Sequence, residues 1–262
     1  MPDHLGIETT DSHVAILTGN PDRAPLIAAR FENHELLTDR RGYLCYQAIF
    51  HNRPLLVVST GIGAPSTAIV VEELIDLGVT TLIRLGTCGA LQPEVHVGDL
   101  VISTACIREE GTSRQYVDVA FPAIPDHMLL HELVESARQT QTMCHVGITH
   151  CKDAYYSERP DKQLVPEYVQ QRWQVWRNAG VLATEMESSA LFVLGQLRHI
   201  RTSALFVNVG KNTDQILFEN SLNAAVLIIQ HTLQRLIDKN LISVPEARKS
   251  TYGKSFLENP AP

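Results

Sequence analysis

The sequence predicts a single α/β domain in which helices cover both faces of a mainly parallel or mixed central β-sheet. Short runs of β-branched residues alternate along the chain with segments whose apolar residues recur at helical spacing, which is typical of such a sheet. The chain has 262 residues, 44% hydrophobic and 19% charged, so it can bury an ordinary core without disulfide bonds. Neither an internal repeat nor a linker interrupts the pattern, and we expect one domain over residues 1–244.

Five strands and two helices are predicted in the first part of the chain. Turn-forming residues at 51–54 make the two strands around them a β-hairpin, and Gly78 ends the second helix. In order, these elements are the strand HVAILT, the helix RAPLIAARF, the strands LCYQAIFHN and PLLVVST, the helix PSTAIVVEELIDLG, and the strands TTLIRL and DLVISTACI.

The second part of the chain alternates helices with two further strands around one polar loop. The loop runs from Cys151 to about Pro166, and Gly180 ends the helix that follows it. In order, the elements are the helix MLLHELVESARQ, the strand MCHVGIT, the helices EYVQQRWQVWRNA and MESSALFVLGQL, the strand SALFVNV and the helix SLNAAVLIIQHTLQRLI. We expect the C-terminal tail, residues 245–262, to be loosely ordered.

Composition and charge exclude several classes of protein. A net charge of −7 argues against a nucleic-acid partner, for which a basic stripe is expected. The five cysteines are scattered and include no C-x-x-C, which favours reduced thiols in a cytoplasm. The N-terminus lacks the pattern of an export signal, and the longest uncharged stretch is broken by Gly, Pro and Ser/Thr, unlike a membrane span. We expect a cytoplasmic protein with no membrane partner.

Two segments, "LTGNPDR" and "RLGTCGA", combine glycine with arginine and predict an anion site. Gly19 lets the chain turn after a strand and Arg23 opens the next helix, while Arg84 ends an apolar run shortly before Thr87. We expect Gly19 and Arg84 at the carboxyl ends of strands, where ligands bind in such folds. Backbone amides, a hydroxyl and two guanidinium groups suit a phosphate dianion. Taken alone, the first segment also fits a plain turn with an exposed arginine, and for Arg84 the alternative partner is a carboxylate of this protein.

The segment "ATEMESSA" places two carboxylates, Glu185 and Glu187, on either side of Met186, just ahead of an apolar helix. Acidic residues at the start of a helix complement its dipole. A carboxylate in this position can also accept hydrogen bonds from sugar hydroxyls and stabilise positive charge that develops on a sugar ring.

Signals for other chemistries are weak. "STGIGAPS" has Gly61 and Gly63 in the spacing of a dinucleotide fingerprint, but the third glycine is missing and the next strand ends in Arg84 rather than an acidic residue. His127 and His131 share a predicted helix without a third ligand at a suitable spacing. We therefore expect no nicotinamide cofactor and no metal site.

Several segments occur together and in order: GNPDR, STGIGAPSTAIVVEEL, RLGTCGALQPEVHVGDLVI and EMES. Together they resemble the nucleoside phosphorylase superfamily of trimeric and hexameric enzymes, and within it the uridine phosphorylases. The resemblance covers about residues 4–236. It implies a partly barrel-like mixed sheet, no cofactor, and phosphorolysis of a nucleoside, with inorganic phosphate as co-substrate, to the free base and ribose 1-phosphate.

The resemblance also implies roles for individual residues. Catalysis would rest on Arg84 and Glu187, with Arg41 and His4 lent by a neighbouring subunit, so that active sites are shared in a homo-oligomer, a trimer of dimers. The family's monovalent cation is not expected, because Gly42 replaces its glutamate ligand. By resemblance, the phosphate ligands are Gly19, Arg23, Arg41, Arg84 and Thr87, and the ribose ligands are His4, Glu185, Met186 and Glu187.

The base pocket departs from the family pattern. Tyr155 lies where the family has an aromatic residue that stacks on the base, but the glutamine and arginine that usually follow are represented only by Arg159 and Gln163 in a shorter segment. Related purine phosphorylases have an aspartate after the penultimate strand; here the ungapped position is Gly210, with Asp214 four residues later. We therefore expect a pyrimidine nucleoside, uridine first. The alternatives are a purine nucleoside phosphorylase, a nucleosidase that uses water, and a non-catalytic nucleoside-binding protein.

Overall fold

Nine β-strands form one mixed sheet in the computed structural model, which describes residues 3–210 and 213–242. The predicted C-terminal tail lies outside the described residues. The strands are β1 (Val14–Thr18), β2 (Glu32–Arg40), β3 (Tyr43–Phe50), β4 (Arg53–Ser59), β5 (Thr81–Ala90), β6 (Leu100–Arg108), β7 (Cys144–Cys151), β8 (Ala183–Glu185) and β9 (Arg201–Asn208).

The strand β5 belongs to two parts of this sheet at once. Its first residues pair in parallel with β1, and its whole length up to Cys88 pairs in parallel with β9. Its last two residues pair antiparallel with β8. The strands β5, β8, β7, β6 and β9 therefore close into a five-stranded barrel, and β1, β4, β3 and β2 extend from β5 as an open part of the sheet. The mixed, partly barrel-like sheet expected from the sequence is confirmed.

Seven α-helices of the described residues cover the sheet. Apolar side chains of α2 and α6 fill the core on one face, and those of α1, α4 and α7 fill the core on the other. None of the helices that the structure describes is long and apolar enough to cross a membrane. The helices are α1 (Arg23–Ala28), α2 (Ala64–Asp76), α3 (Thr112–Tyr116), α4 (His127–Gln139), α5 (Pro166–Asn178), α6 (Ser188–Arg198) and α7 (Gln215–Asp238).

Every strand and helix predicted from the sequence is present, and β2, β8 and α3 are additional.

One prediction is wrong: Arg84 does not lie at the carboxyl end of its strand. It is the fourth residue of β5, which continues to Ala90. The reason is that the pairing of β1 with β5 ends at Leu17 opposite Arg84, whereas β5 runs on into the barrel. Arg84 therefore lies at the junction between the open part of the sheet and the barrel.

Candidate active site

Arg84 is buried between two carboxylates. Its side chain is 3% exposed; Nε donates to Glu185 Oε2 (3.3 Å), and Nη2 donates to Glu187 Oε2. Burial alone lowers the pKa of Arg84, but the nearby charges of Glu187 and Glu185 outweigh burial and raise it. The guanidinium is therefore permanently charged and fixed in orientation.

The third nitrogen of this guanidinium, Nη1, is buried without a hydrogen-bond partner among the described residues. A buried donor left unsatisfied costs about 1–3 kcal/mol, and more for a charged group. Gly19 faces it: a Cβ atom added at Gly19 would lie 3.8 Å from Nη1 of Arg84 and 3.8 Å from Oε1 of Glu187. The bare glycine backbone keeps this space open, and the geometry suits an acceptor that comes from outside the chain.

Gly86 allows the guanidinium to lie where it does, a role that sequence reasoning missed. A Cβ atom at Gly86 would lie 2.8 Å from Arg84 Nη2 and 3.1 Å from Cδ1 of Phe206. Any side chain here would displace the guanidinium from its position 5.7 Å from the centre of the Phe206 ring. The spacing of Arg84 and Gly86 was a usable signal, because residues i and i+2 of a strand lie on the same face of the sheet.

Arg23, at the start of α1, adds a second guanidinium. Its Nη1 donates to Thr87 Oγ1 (3.2 Å), and its Cζ lies 5.2 Å from the centre of the Phe218 ring. Burial lowers the pKa of Arg23, and the like charge of Arg84 lowers it further. A cleft of about 430 Å³ opens beside Arg23 and Phe218. Two cations that repel one another favour binding of an anion between them.

The two glutamates are held by backbone amides as well as by Arg84. Glu187 Oε1 accepts from the N–H of Gly63 (2.7 Å), and Glu185 Oε2 accepts from the N–H groups of Glu187 (2.9 Å) and Ser188 (3.0 Å). Burial raises the pKa of Glu187, Arg84 opposes this, and the charge of Glu185 adds to it. Gly63, which was weak evidence for a dinucleotide site in the sequence, is instead a positioning residue for Glu187. Met186, between the two glutamates in the sequence, is half-buried.

His4 and Arg41 of the same chain lie away from Arg84, unlike the other candidate residues for phosphate and ribose. His4 Nδ1 bonds Glu73 Oε1 (2.7 Å) on α2. Glu73 is ten residues, about 15 Å of helix, from Gly63. Arg41 lies in the exposed turn between β2 and β3 with φ +55°, about 10 Å or two strand spacings from β1. Their predicted contribution to a neighbouring subunit stays a prediction.

The candidate base-binding residues share one loop, residues 154–165, that starts beside the glutamates. Cys151, the last residue of β7, pairs with Glu185, so the loop leaves the barrel next to the carboxylates. Tyr155 is 54% exposed, Arg159 Cζ lies 5.5 Å from the Tyr156 ring centre, and Gln163 Nε2 donates to the Tyr156 carbonyl (3.2 Å). The described contacts of Arg159 and Gln163 thus lie within the loop, and their role toward a base stays a prediction.

Among the described residues, one cluster combines side chains of types that can bind a metal ion. The ligand atoms of Cys106, Cys151 and Glu185 lie within 4.8 Å of one another. Burial raises the pKa of both thiols, whereas metal ligation needs thiolates. Glu185 already accepts from Arg84 and from the start of α6, so this cluster fits a packed core better than a cation site.

Fold and site together define the class of this protein. The sequence profile of the Phosphorylase superfamily matches residues 13–238, and the chain belongs to that superfamily of enzymes, which confirms the resemblance drawn from its motifs.

A uridine phosphorylase of Treponema pallidum is 42% identical over 212 residues, 80% of this chain and 82% of the relative. A guanosine phosphorylase of Halorubrum lacusprofundi is 41% identical over 203 residues, 77% of this chain and 80% of the relative. A crystal structure of uridine phosphorylase from Vibrio fischeri matches with a TM-score of 0.80 at 29% identity, covering 89% of this chain and 97% of that chain.

Proposed function

We propose that this protein is a pentosyltransferase that cleaves uridine with inorganic phosphate, releasing uracil and ribose 1-phosphate, and that it needs no cofactor. The observation that carries the proposal is the unpaired buried Nη1 of Arg84 beside Arg23. A dianion is the ligand that satisfies this donor and also relieves the repulsion between the two guanidinium groups. The similarity to uridine phosphorylases supports phosphate as that dianion.

Phosphate is the nucleophile in this mechanism. Arg84 and Arg23 hold it with the Thr87 hydroxyl and the backbone at Gly19. Cleavage of the bond between C1′ of the sugar and the base builds positive charge on the ring. The bound dianion lies under C1′, stabilises that charge, and then forms the new C–O bond, while the electron pair of the broken bond leaves with the base. Most of the acceleration comes from proximity and preorganised charge.

The sugar is held by the two glutamates. An ionised carboxylate has about four acceptor positions, so Glu187 can accept from the 2′- and 3′-hydroxyls while it remains bonded to Arg84 and Gly63. Because Arg84 contacts both glutamates, the same guanidinium sets the position of the phosphate and of the ribose. Met186, between the two glutamates in the sequence, is a further contact to the ribose.

The base lies against the 154–165 loop, where Tyr155 stacks on it and Arg159 and Gln163 are donors to the uracil oxygens. A homo-oligomer completes each site: His4 and Arg41 act in the neighbouring subunit, on the ribose 5′-hydroxyl and the phosphate respectively. We place the enzyme in the cytoplasm as a trimer of dimers.

A purine nucleoside is the second candidate, favoured by the 41% identity to a guanosine phosphorylase. Against it, Asp214 caps α7: its Oδ1 accepts from the N–H groups of Ile216 (2.8 Å) and Leu217 (3.1 Å). These bonds tie the Asp214 carboxylate to the start of α7, which leaves it poorly placed to act on a purine ring.

A panel of nucleosides tests the proposal. Purified protein is mixed with uridine, thymidine, deoxyuridine, inosine and guanosine, with and without phosphate, and ultraviolet absorbance follows release of the base. We expect phosphate-dependent turnover with uridine preferred. Preferred cleavage of guanosine or inosine would assign the purine reaction, release without phosphate a nucleosidase, and binding without turnover a non-catalytic protein.

A further inference from the structure

Lys152, the residue after β7, is a buried cation that is not among the site residues described above. Its backbone N–H donates to the carbonyl oxygen of Glu185 (3.1 Å), and its ammonium donates to the hydroxyl oxygen of Thr184 (2.9 Å). The same ammonium pairs with Glu158 Oε2 (2.8 Å). Lys152 thus connects Thr184 of β8, the residue before Glu185, to the 154–165 loop.

A buried ammonium requires a counter-charge. The side chain of Lys152 is 6% exposed, and an unpaired ion at such a depth is strongly unfavourable. The carboxylate that neutralises it, Glu158, comes from the loop, and the ring centre of Trp173 on α5 lies 5.5 Å from Nζ. The loop conformation seen here is therefore coupled to the charge of Lys152.

The barrel side of this connection is rigid. The Thr184 hydroxyl lies 3.0 Å from Nδ1 of His150, whose Nε2 lies 2.6 Å from Glu109 Oε2. Arg172 Nε donates to the other oxygen of Glu109 (2.7 Å). Because the ammonium uses the Thr184 oxygen as an acceptor, the hydroxyl hydrogen is free to be donated to His150. This chain of bonds fixes the acceptor for Lys152.

The loop side has little apolar burial of its own. Tyr155 and Tyr156 are 54% and 58% exposed, and Leu164 is fully exposed. The Glu158 side chain is itself 31% exposed. Hydrophobic packing is thus a weak restraint on the loop, whereas the ion pair with Lys152 ties Glu158 to the barrel.

We infer that Lys152 is a positioning residue for recognition of the base: its ion pair with Glu158 fixes the segment from Tyr155 to Arg159 beside the ribose carboxylates. The inference rests on the proposed function, because the loop is assigned to the base there. It predicts that nucleoside affinity depends on Lys152 and that phosphate affinity does not.

The test replaces each partner of the ion pair by a neutral residue of similar shape, Lys152→Met and Glu158→Gln. We expect each variant to raise KM for the nucleoside about ten-fold or more with KM for phosphate unchanged. The double variant is expected to be no worse than the worse single variant, because both changes remove one interaction. Glu158→Asp, which keeps the charge, should recover part of the nucleoside affinity.

The matched control is Arg138→Met, which removes a cation from an exposed pair with Glu135 on α4. Hydrogen exchange of residues 154–165 is the second readout, and it should rise in both neutral variants and not in the control. Folded variants with unchanged nucleoside KM, or with both KM values raised together, would overturn the inference and leave the proposed function standing. If the wild type cleaves no nucleoside, the proposed function fails, and exchange in the loop alone decides whether the ion pair fixes it.

Discussion

At the scale of single residues, the proposed anion site depends on Arg84. Its Nε and Nη2 are used by the chain's own carboxylates, and Nη1 is left for a ligand. Lysine could not do this, because a single ammonium lacks the planar arrangement of donors that reaches two glutamates and an anion together. The guanidinium lies against the backbone of Gly86, and a side chain at residue 86 would displace it.

Replacing Arg84 tests this assignment. Arg84→Ala removes a preorganised donor and should lower the rate of phosphorolysis by about 10²–10³. Arg84→Lys keeps the charge near Glu185 and Glu187, should fold more readily, and should still lose most of the activity. Steady-state kinetics and a thermal midpoint for each variant are the measurements. A folded Arg84→Ala enzyme of near-normal rate would show that the anion site is elsewhere.

The ionisation of Glu187 predicts how nucleoside binding depends on pH. Burial raises the pKa of Glu187 above the ordinary glutamate value of 4.5, so the carboxylate takes up a proton at a higher pH than usual. We expect uridine affinity, measured without phosphate, to fall as the pH is lowered through that raised pKa. In Glu187→Gln the affinity should be low and nearly independent of pH over the same range, whereas Glu135→Gln should follow the wild type. A wild-type profile that is flat down to the ordinary value contradicts the assignment.

At the scale of elements, the structure shows why sequence patterns found most of the fold and missed some of it. The strand β2 reads ENHELLTDR and is exposed along almost its whole length, so it carries no alternation of apolar and polar residues. The strand β8 has three residues and closes the barrel through pairing with β5 and β7, contacts between distant parts of the sequence. Buried strands and amphipathic helices, by contrast, carry their own periodicity.

The attachment of the N-terminal segment to α2 gives a prediction at this scale. The Glu73 carboxylate accepts from the N–H groups of His4 (2.9 Å) and Leu5 (2.8 Å). Burial raises its pKa, but the bonds from Leu5 and His4 outweigh burial and lower it. A lowered carboxyl pKa stabilises the fold above the ordinary glutamate value of 4.5, and this contribution is lost as the pH falls through the folded pKa.

Glu73→Gln should therefore reduce the free energy of unfolding at pH 7 by about 1–3 kcal/mol, and the difference from the wild type should shrink in acid. Urea unfolding at pH 7 and below pH 4 (roughly the unfolded value) measures both effects. The neighbouring Glu72→Gln, which loses a partly exposed pair with Arg198, is the control and should cost less than about 1 kcal/mol. An equal loss in both variants would show that Glu73 has no special role.

At the scale of the whole molecule, the site was predictable as far as it lies in continuous motifs. Arg23, Arg84, Thr87 and the two glutamates carry recognisable local sequences, and the structure brings them together. The position of Gly86 under the guanidinium and the ion pair of Lys152 depend on contacts between distant segments, which no local pattern records. The roles proposed for Arg41 and His4 depend on another subunit.

Mixing two inactive variants tests whether sites are shared. We expect Arg41→Ala and Arg84→Ala each to be nearly inactive alone. Each mixed dimer should hold one intact site, built from Arg84 of one subunit and Arg41 of the other. Co-expression in equal amounts should thus restore about a quarter of the wild-type rate if subunits pair at random. Activity that stays at the level of the single variants would place both arginines in one subunit.

The sharing of β5 between the open sheet and the barrel also bears on how the enzyme responds to its substrates. Gly19 and Arg23 follow β1 in the open sheet, while Glu185 ends the barrel strand β8 and Glu187 comes two residues later. In the proposed complex, phosphate contacts residues that follow β1 in the open part of the sheet, and the sugar contacts the glutamates at the end of the barrel strand β8. Bound substrates therefore connect the two parts of the sheet. Resistance to denaturation should consequently grow more when both substrates, or their products, are present than either achieves alone.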